Sequence, residues 1–390
     1  MRRVSDEGAV DARFAEGGPR VVIGMMSGTS LDGLDVAAVG LELRAEGRWA
    51  YELLCAETVA YEEAWRTRLI DAFDRGAGLE REDAAWLRQL DRAYGDWLGE
   101  RAADFAAAYG LTPALVASHG HTVHHRPERK YTLQVGDPER VAAACGLPVV
   151  ADFRRLDVEL GGQGAPLVPV ADRLLFGDYA QCLNLGGFAN VSYEAPGGRL
   201  AYDITVVNGL LNRLAERCGR PYDDGGGLAR RGTVLPDLSA RLGALSYYAT
   251  PPPKSLGREW LESAVAPLFD AYADAPLDAL ATATVHVAER IAKALADGPP
   301  GAVLVSGGGA HNDFLIELLA QRLPASHSLV LPEGPLIDFK EAIAFALLGA
   351  LRIRGEATAL ASVTGARRDS CGGVVVGYRT AGGTRGLLVA

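Results

Sequence analysis

Asp152 closes the apolar run Pro148-Val149-Val150-Ala151 and opens the polar segment Phe153-Arg154-Arg155-Leu156-Asp157. A carboxylate at the C-terminal end of a strand, at the lip of an α/β sheet, stands where ligands usually bind. Asp152 is therefore a candidate catalytic carboxylate, with a helix cap or an ion pair to Arg154 or Arg155 as the structural alternative. The stretch Gly161-Gly162-Gln163-Gly164-Ala165-Pro166 follows it and suits close approach of backbone to a ligand. Upstream, Ser118-His119-Gly120-His121-Thr122-Val123-His124-His125 packs four histidines into seven residues. Imidazoles ligate metals, but the segment has no carboxylate or cysteine to complete a shell. Hydrogen bonding to a polar substrate fits better, and a partly exposed loop is the alternative.

Glycines make a third group. Ser27-Gly28-Thr29-Ser30-Leu31-Asp32-Gly33 is a turn whose N–H groups can face an anion, and Gly186-Gly187 offers the same in the second half. Taken singly, each reads as an ordinary hairpin turn. As a pair opening two similar halves, they would clamp a triphosphate from both sides. Ser306-Gly307-Gly308-Gly309 follows an apolar strand and precedes a helix, suiting approach by a nucleoside. No G-x-x-x-x-G-K-[ST] run occurs, which excludes a P-loop kinase, and protein-kinase signatures are absent.

The elements that must position these residues are legible in outline. Strands are predicted over residues 21–25, 34–43 and 49–59, an antiparallel meander rather than a Rossmann unit, whose first strand leads directly into a helix. Helices are predicted over 61–75 and 81–109, the second with Trp86, Leu87, Leu90, Tyr94, Trp97 and Leu98 on one face. Short strands then alternate with helices: strands at 114–118, 132–135 and 149–152, with a helix over 138–145 that Asp137 caps and Pro138 starts. The second half repeats the plan, with strands at 182–185, 190–193 and 302–305 and helices near 210–218, 259–272, 282–295 and 312–319.

A chain of 390 residues exceeds one ordinary core, so two domains are expected, 21–170 and 171–390, after a tail over 1–20. The last helices are expected to pack back on the first domain. The net charge of −10 argues against a nucleic-acid or anionic-membrane surface. The five cysteines form no C-x-x-C pair and fit reduced thiols in a cytoplasmic protein. No apolar stretch reaches membrane-spanning length, and the N-terminal residues lack the apolar core of a signal peptide.

In this order the motifs resemble the anhydro-N-acetylmuramic acid kinases. The similarity runs from Gly24 through Asp35, then Ser118-His119-Gly120, Gln134-Val135-Gly136-Asp137, Ala151-Asp152-Phe153-Arg154 and Gly161 through Pro169. It continues in Asn184 through Asn190, Pro221-Tyr222-Asp223, Ser306 through Asn312, Glu341-Ala342 with Ala344-Phe345-Ala346, and Ser362 through Ala366. The resemblance implies an α/β fold of two actin/hexokinase-like (ribonuclease H-like) domains around an interdomain cleft. It implies that ATP with Mg²⁺ phosphorylates a 1,6-anhydro sugar while water opens the ring, and it suggests a homodimer.

Residue by residue, it implies Asp152 as general base and Glu341 as a second carboxylate orienting water or sugar. Gly28, Thr29, Ser30, Leu31, Asp32, Gly33, Leu34 and Asp35 would hold ATP phosphates, joined by Gly186, Gly187, Gly307, Gly308 and Gly309. The substrate-binding candidates are His119, Gly120, Gln134, Gly136, Arg154 and Asn208. No direct metal ligand is assigned; Asp32, Asp35 and Asp203 are outer-sphere candidates. Two departures stand out. His121 occupies a position where the family commonly has Gln. Asp203-Ile204-Thr205-Val206-Val207-Asn208 replaces the usual Asp-Thr-Gly-Pro-Gly-Asn, and its β-branched residues are expected to stiffen a loop and narrow close approach. A binding-only relative that senses nucleotide or muramyl sugar, or an actin-like kinase of another small acceptor, are the competing readings.

Overall fold

In the computed structural model, residues 19–28, 31, 33–76, 85–252, 254–332, 334–379 and 385–388 are described. The chain divides into two units, one running to Leu175 and resuming at Glu341, the other spanning Phe176–Lys340.

The first unit is built on strands β1 (Arg20–Ser27), β2 (Gly33–Leu43), β3 (Trp49–Ala60), β4 (Leu115–Arg126), β5 (Tyr131–Val135), β6 (Val149–Ala151), β12 (Val374–Arg379) and β13 (Arg385–Leu388). Their order is β13-β12-β6-β4-β1-β2-β3, with β5 paired to β4. The meander β1-β2-β3 is antiparallel, and β4 and β6 then add in parallel. Strand β1 is an interior strand of this sheet, between β4 and β2, and Val22, Ile23 and Met25 are wholly buried. A strand covered on both faces has no need of alternation. Edge-ward β3 alternates exposed with partly buried residues.

The second unit repeats this plan with β7 (Gln181–Leu185), β8 (Phe188–Ala195), β9 (Gly198–Val206), β10 (Gly301–Ser306) and β11 (His327–Val330). The order is β11-β10-β7-β8-β9, with an antiparallel β7-β8-β9 meander and β10 and β11 parallel to β7. Two meanders, each followed by two parallel strands in the same places, make two ribonuclease H-like units of the actin/hexokinase type. Each has its own apolar core.

Chain continuity crosses the division. The helix Leu336–Arg354 begins in the second unit and ends in the first. Its first-unit portion lies directly on β1: a Cβ built at Gly24 would stand 1.9 Å from the carbonyl oxygen of Ala342. Only a residue without a side chain admits that approach.

Three expectations change. The strand predicted over 114–118 continues to Arg126, so the histidine segment is sheet rather than the partly exposed loop of the alternative reading, buried through His124 apart from a half-buried Thr122. Pairing with β5 satisfies its backbone, which a loop at that depth would leave without partners. The segment Asp203–Val206 is the end of β9 rather than a loop. Val206 and Val207 are buried in the core of the second unit, so their branched side chains fill that core instead of narrowing an approach. The helix expected over 259–272 is a short α-turn followed by π and 3₁₀ turns. The helix predicted over 81–109 is present as Ala85–Ala108, its first four predicted positions lying outside the described residues.

Candidate active site

Asp152 lies one residue beyond β6 and takes φ +58°, a left-handed conformation uncommon for a side-chain-bearing residue. That bend separates β6 from the short helix Arg155–Glu159. The carboxylate is mostly buried, and its Oδ2 lies 2.8 Å from Nη2 of Arg155. Burial pushes its pKa up to about 6; Arg155 opposes the rise, and Glu159 and Asp91 add to it. The ion pair considered as a structural alternative is therefore present, beside a carboxyl whose proton affinity suits base catalysis near neutral pH.

Arg154 points the other way. Its Nε and Nη2 both donate to Nε2 of His119, at 3.1 and 2.9 Å, and its Nη1 donates to the carbonyl of Gly164 at 2.8 Å. Burial, helped by Arg154 and His121, holds the His119 imidazole well below its usual range, so the ring is neutral. Since Nε2 accepts from the guanidinium, the ring proton sits on Nδ1. Burial also lowers Arg154, to about 10, while Glu341 supports its charge. Phe345, four residues after Glu341, packs on the His119 ring at 4.9 Å and on Phe153 at 5.5 Å. Arg154, His119 and Glu341 thus come together from the segment after β6, from mid-β4 and from the helix Leu336–Arg354, with Asp152 two residues before Arg154.

The loop after Asp152 is anchored by a residue that sequence reasoning passed over. Asp157 is fully buried, accepting from the backbone N–H of Gly164 and from the hydroxyl of Thr364, each at 2.7 Å. Gln163 N–H donates to the carbonyl of Thr364. Two distant motifs, Gly161 through Pro169 and Ser362 through Ala366, are therefore one structure. Nothing marks Asp157 in the sequence except an acid among apolar neighbours.

A second network was also missed. Ser27 Oγ lies 2.7 Å from His121 Nδ1 and 2.6 Å from Tyr61 Oη, which in turn lies 2.5 Å from Tyr94 Oη. The chain is buried, and desolvation lowers His121 to about 4. The histidine at the departing position thus ties the end of β1 to β4.

Gly120 and Gly136 face each other across the β4–β5 pairing, and a Cβ on either would strike its surroundings. Their smoothness serves strand packing. Gln134 Nε2 donates to Thr132 and Thr122, while its buried Oε1 has no partner among the described residues.

In the first glycine turn, Leu31 N–H donates to the carbonyl of Gly28 and Leu31 is left-handed at φ +57°. Thr29, Ser30 and Asp32 lie outside the described residues. Gly33 packs against Thr58 and Val59, Leu34 belongs to the core, and the Asp35 carboxylate accepts from Thr58 at 2.6 Å.

The second unit gathers Gly186, Gly187, Gly307, Gly308, Gly309 and Asn208. The helix Asn208–Arg217 starts against the β7–β8 turn, where Val207 N–H donates to the carbonyl of Gly187 and Asn208 N–H to that of Gly186. Gly307 adopts φ +85°, and a Cβ there would press on Asn184 and Leu185. Asn208 lies beside Gly308 and Gly309, among the nucleotide candidates of its own unit. A cavity of about 460 Å³ opens there, lined by Asn208, Tyr222, Asp223, Gly225, Gly308 and His311 among others. Tyr222 is exposed and can stack on a base, while Asp223 is held by the N–H groups of Leu228 and Ala229. The cavity and its glycine rim fit a nucleoside.

Among the described residues no group of three or more His, Cys, Asp or Glu side chains could hold a metal ion. Asp203 is buried, raised to about 6, and accepts from Leu256 N–H. No described helix is long and apolar enough to cross a membrane.

The profile of the family described as anhydro-N-acetylmuramic acid kinase matches residues 20–378. The chain is 40% identical over 377 residues to the anhydro-N-acetylmuramic acid kinase of Variovorax paradoxus strain S110, covering 91% of this chain and 97% of that one. It is 37% identical over 368 residues to the enzyme of that name from Gloeobacter violaceus, covering 90% and 97%. Identity to the Streptomyces coelicolor enzyme of that name is 38% over 366 residues, covering 90% and 92%.

Proposed function

This chain belongs to the anhydro-N-acetylmuramic acid kinase family, and from that premise we propose that it transfers the γ-phosphoryl group of ATP to O6 of 1,6-anhydro-N-acetylmuramic acid while water opens the anhydro bridge. The product is N-acetylmuramic acid 6-phosphate, and the role is peptidoglycan recycling in the cytoplasm.

Asp152 carries the reading. Neutral water is a poor nucleophile, and a carboxylate with pKa about 6 is mostly ionised at neutral pH yet basic enough to take a proton. As the water oxygen bonds to the anomeric carbon, its proton passes to Asp152 and the bond from that carbon to O6 breaks. O6 leaves with the electron pair and bonds to the γ-phosphorus, releasing ADP. Arg154 and neutral His119 would supply a rigid polar wall, with Glu341 supporting the charge of the guanidinium.

The second-unit cavity with Tyr222 and Gly308 would take the nucleoside, and Gly28 through Asp35 the phosphates. Mg²⁺ would arrive on the triphosphate and neutralise its charge; among the described residues no group of three or more His, Cys, Asp or Glu side chains could hold it. The working form is proposed as a homodimer.

An ADP-release assay coupled to 1,6-anhydro-N-acetylmuramic acid tests the proposal. Turnover that Asp152→Asn abolishes is expected. Sugar binding without turnover would replace the kinase by a sensor, and turnover confined to other acceptors would replace its substrate.

A further inference from the structure

Arg155 and Arg154 are neighbours in sequence with opposite situations. Arg154 is committed to His119 and Gly164 by three hydrogen bonds. Arg155 leaves 61% of its side chain exposed while lying over a carboxylate that is itself 18% exposed. Its side chain also borders a cavity of about 450 Å³ within the first unit, between the helix Ala85–Ala108, β5 and the helix Arg155–Glu159. Lys130, Tyr131 and Leu133 line one side of this cavity, with Asp91 and Glu159 on others.

The positive charge of Arg155 favours the ionised form of Asp152 and so weakens it as a proton acceptor. Moving that charge away strengthens the base. Muramic acid differs from its parent amino sugar by a lactyl ether ending in a carboxylate. That group can replace Asp152 as the partner of a guanidinium at little cost, one carboxylate being exchanged for another. A neutral sugar cannot make the exchange.

Resting on the kinase function proposed above, we propose that Arg155 determines specificity for the acidic arm of the sugar. On binding, its guanidinium trades Asp152 for the substrate carboxylate and uncovers the base. The cavity beside Arg155 receives the lactyl arm, with Lys130 adding positive charge at its rim. Asp91 and Glu159, which raise the proton affinity of Asp152 against the opposing Arg155, then act unopposed. Recognition of the correct substrate and activation of the base become one movement.

The test compares 1,6-anhydro-N-acetylmuramic acid with 1,6-anhydro-N-acetylglucosamine, which lacks the lactyl group, in wild-type enzyme and in Arg155→Gln. For the acidic sugar kcat/KM should fall by about 10- to 100-fold, the range of one lost charge-assisted contact, chiefly through KM. For the neutral sugar it should not fall, because removing the guanidinium also frees Asp152, so the preference for the acid collapses. Unchanged melting temperature checks that Arg155→Gln folds. Equal losses on both sugars, or a preserved preference, would overturn the assignment. Wild-type enzyme inactive on both sugars would instead remove the kinase function, and the inference with it.

Discussion

Thr364 donates its hydroxyl to Asp157 at 2.7 Å across 207 positions of sequence, with both side chains buried. The same carboxylate accepts from Gly164, whose carbonyl in turn accepts from Arg154. A C-terminal threonine is thereby linked, through three contacts, to the guanidinium that orients His119.

Asp157→Ala removes the centre of that arrangement and leaves buried partners unsatisfied. Denaturant unfolding should register a loss of about 2–4 kcal/mol, against about 1–2 kcal/mol for Thr364→Val, which removes one donor. Equal stability of wild type and Asp157→Ala would show the contact to be incidental.

Asp152→Asn should separate activity from stability. Turnover should fall by about 100-fold or more, the range of a lost general base. In the wild type, kcat/KM should decline as pH drops through about 6 and the carboxylate takes up a proton. The stability sign is the reverse. A carboxyl raised by burial favours the folded state when protonated, at low pH, and that advantage disappears as pH rises through about 6. At pH 7.5 the neutral asparagine avoids the desolvation cost and tolerates φ +58° well. The melting curve should show a gain of about 1–2 kcal/mol; a loss would mean that the Arg155 ion pair outweighs burial.

Arg154→Lys keeps a charge but loses the fork that grips His119 and Gly164 together. The KM for sugar should rise by about 10-fold or more, with the KM for ATP little changed. By NMR, wild-type His119 should remain neutral with its proton on Nδ1 across pH 5–8, because burial and Arg154 hold it well below the usual range. A His119 titration near pH 6.5 would contradict this placement.

Val207→Ala tests where the unusual β-branched pair acts. Val207 is wholly buried in the second-unit core, so the substitution should cost about 1–3 kcal/mol of stability and leave the KM for ATP unchanged. A fall in that KM at constant stability would instead place the side chain on the nucleotide's path.

Much of the site was readable because its residues are local. Asp152 follows an apolar run, Gly307 follows another, and each glycine turn joins two strands that are neighbours in sequence. The strand meanders follow from apolar runs and turn residues, whose preferences act over a few positions. The histidine segment was harder. A run of His, Gly and Thr leaves strand and loop both open until pairing with β5 accounts for its backbone.

Left to itself, the sequence determined the strand and helix types, the two-part plan and the candidate acid, since periodicity and turn chemistry act within a few residues of each other. Tertiary structure alone decided that Asp157 meets Thr364, that Gly24 admits the helix carrying Glu341, that Val206 and Val207 belong to a core, and that Asp152 is ion-paired and desolvated. Those facts depend on which distant surfaces come together, and both burial and charge pairing exist only once they have.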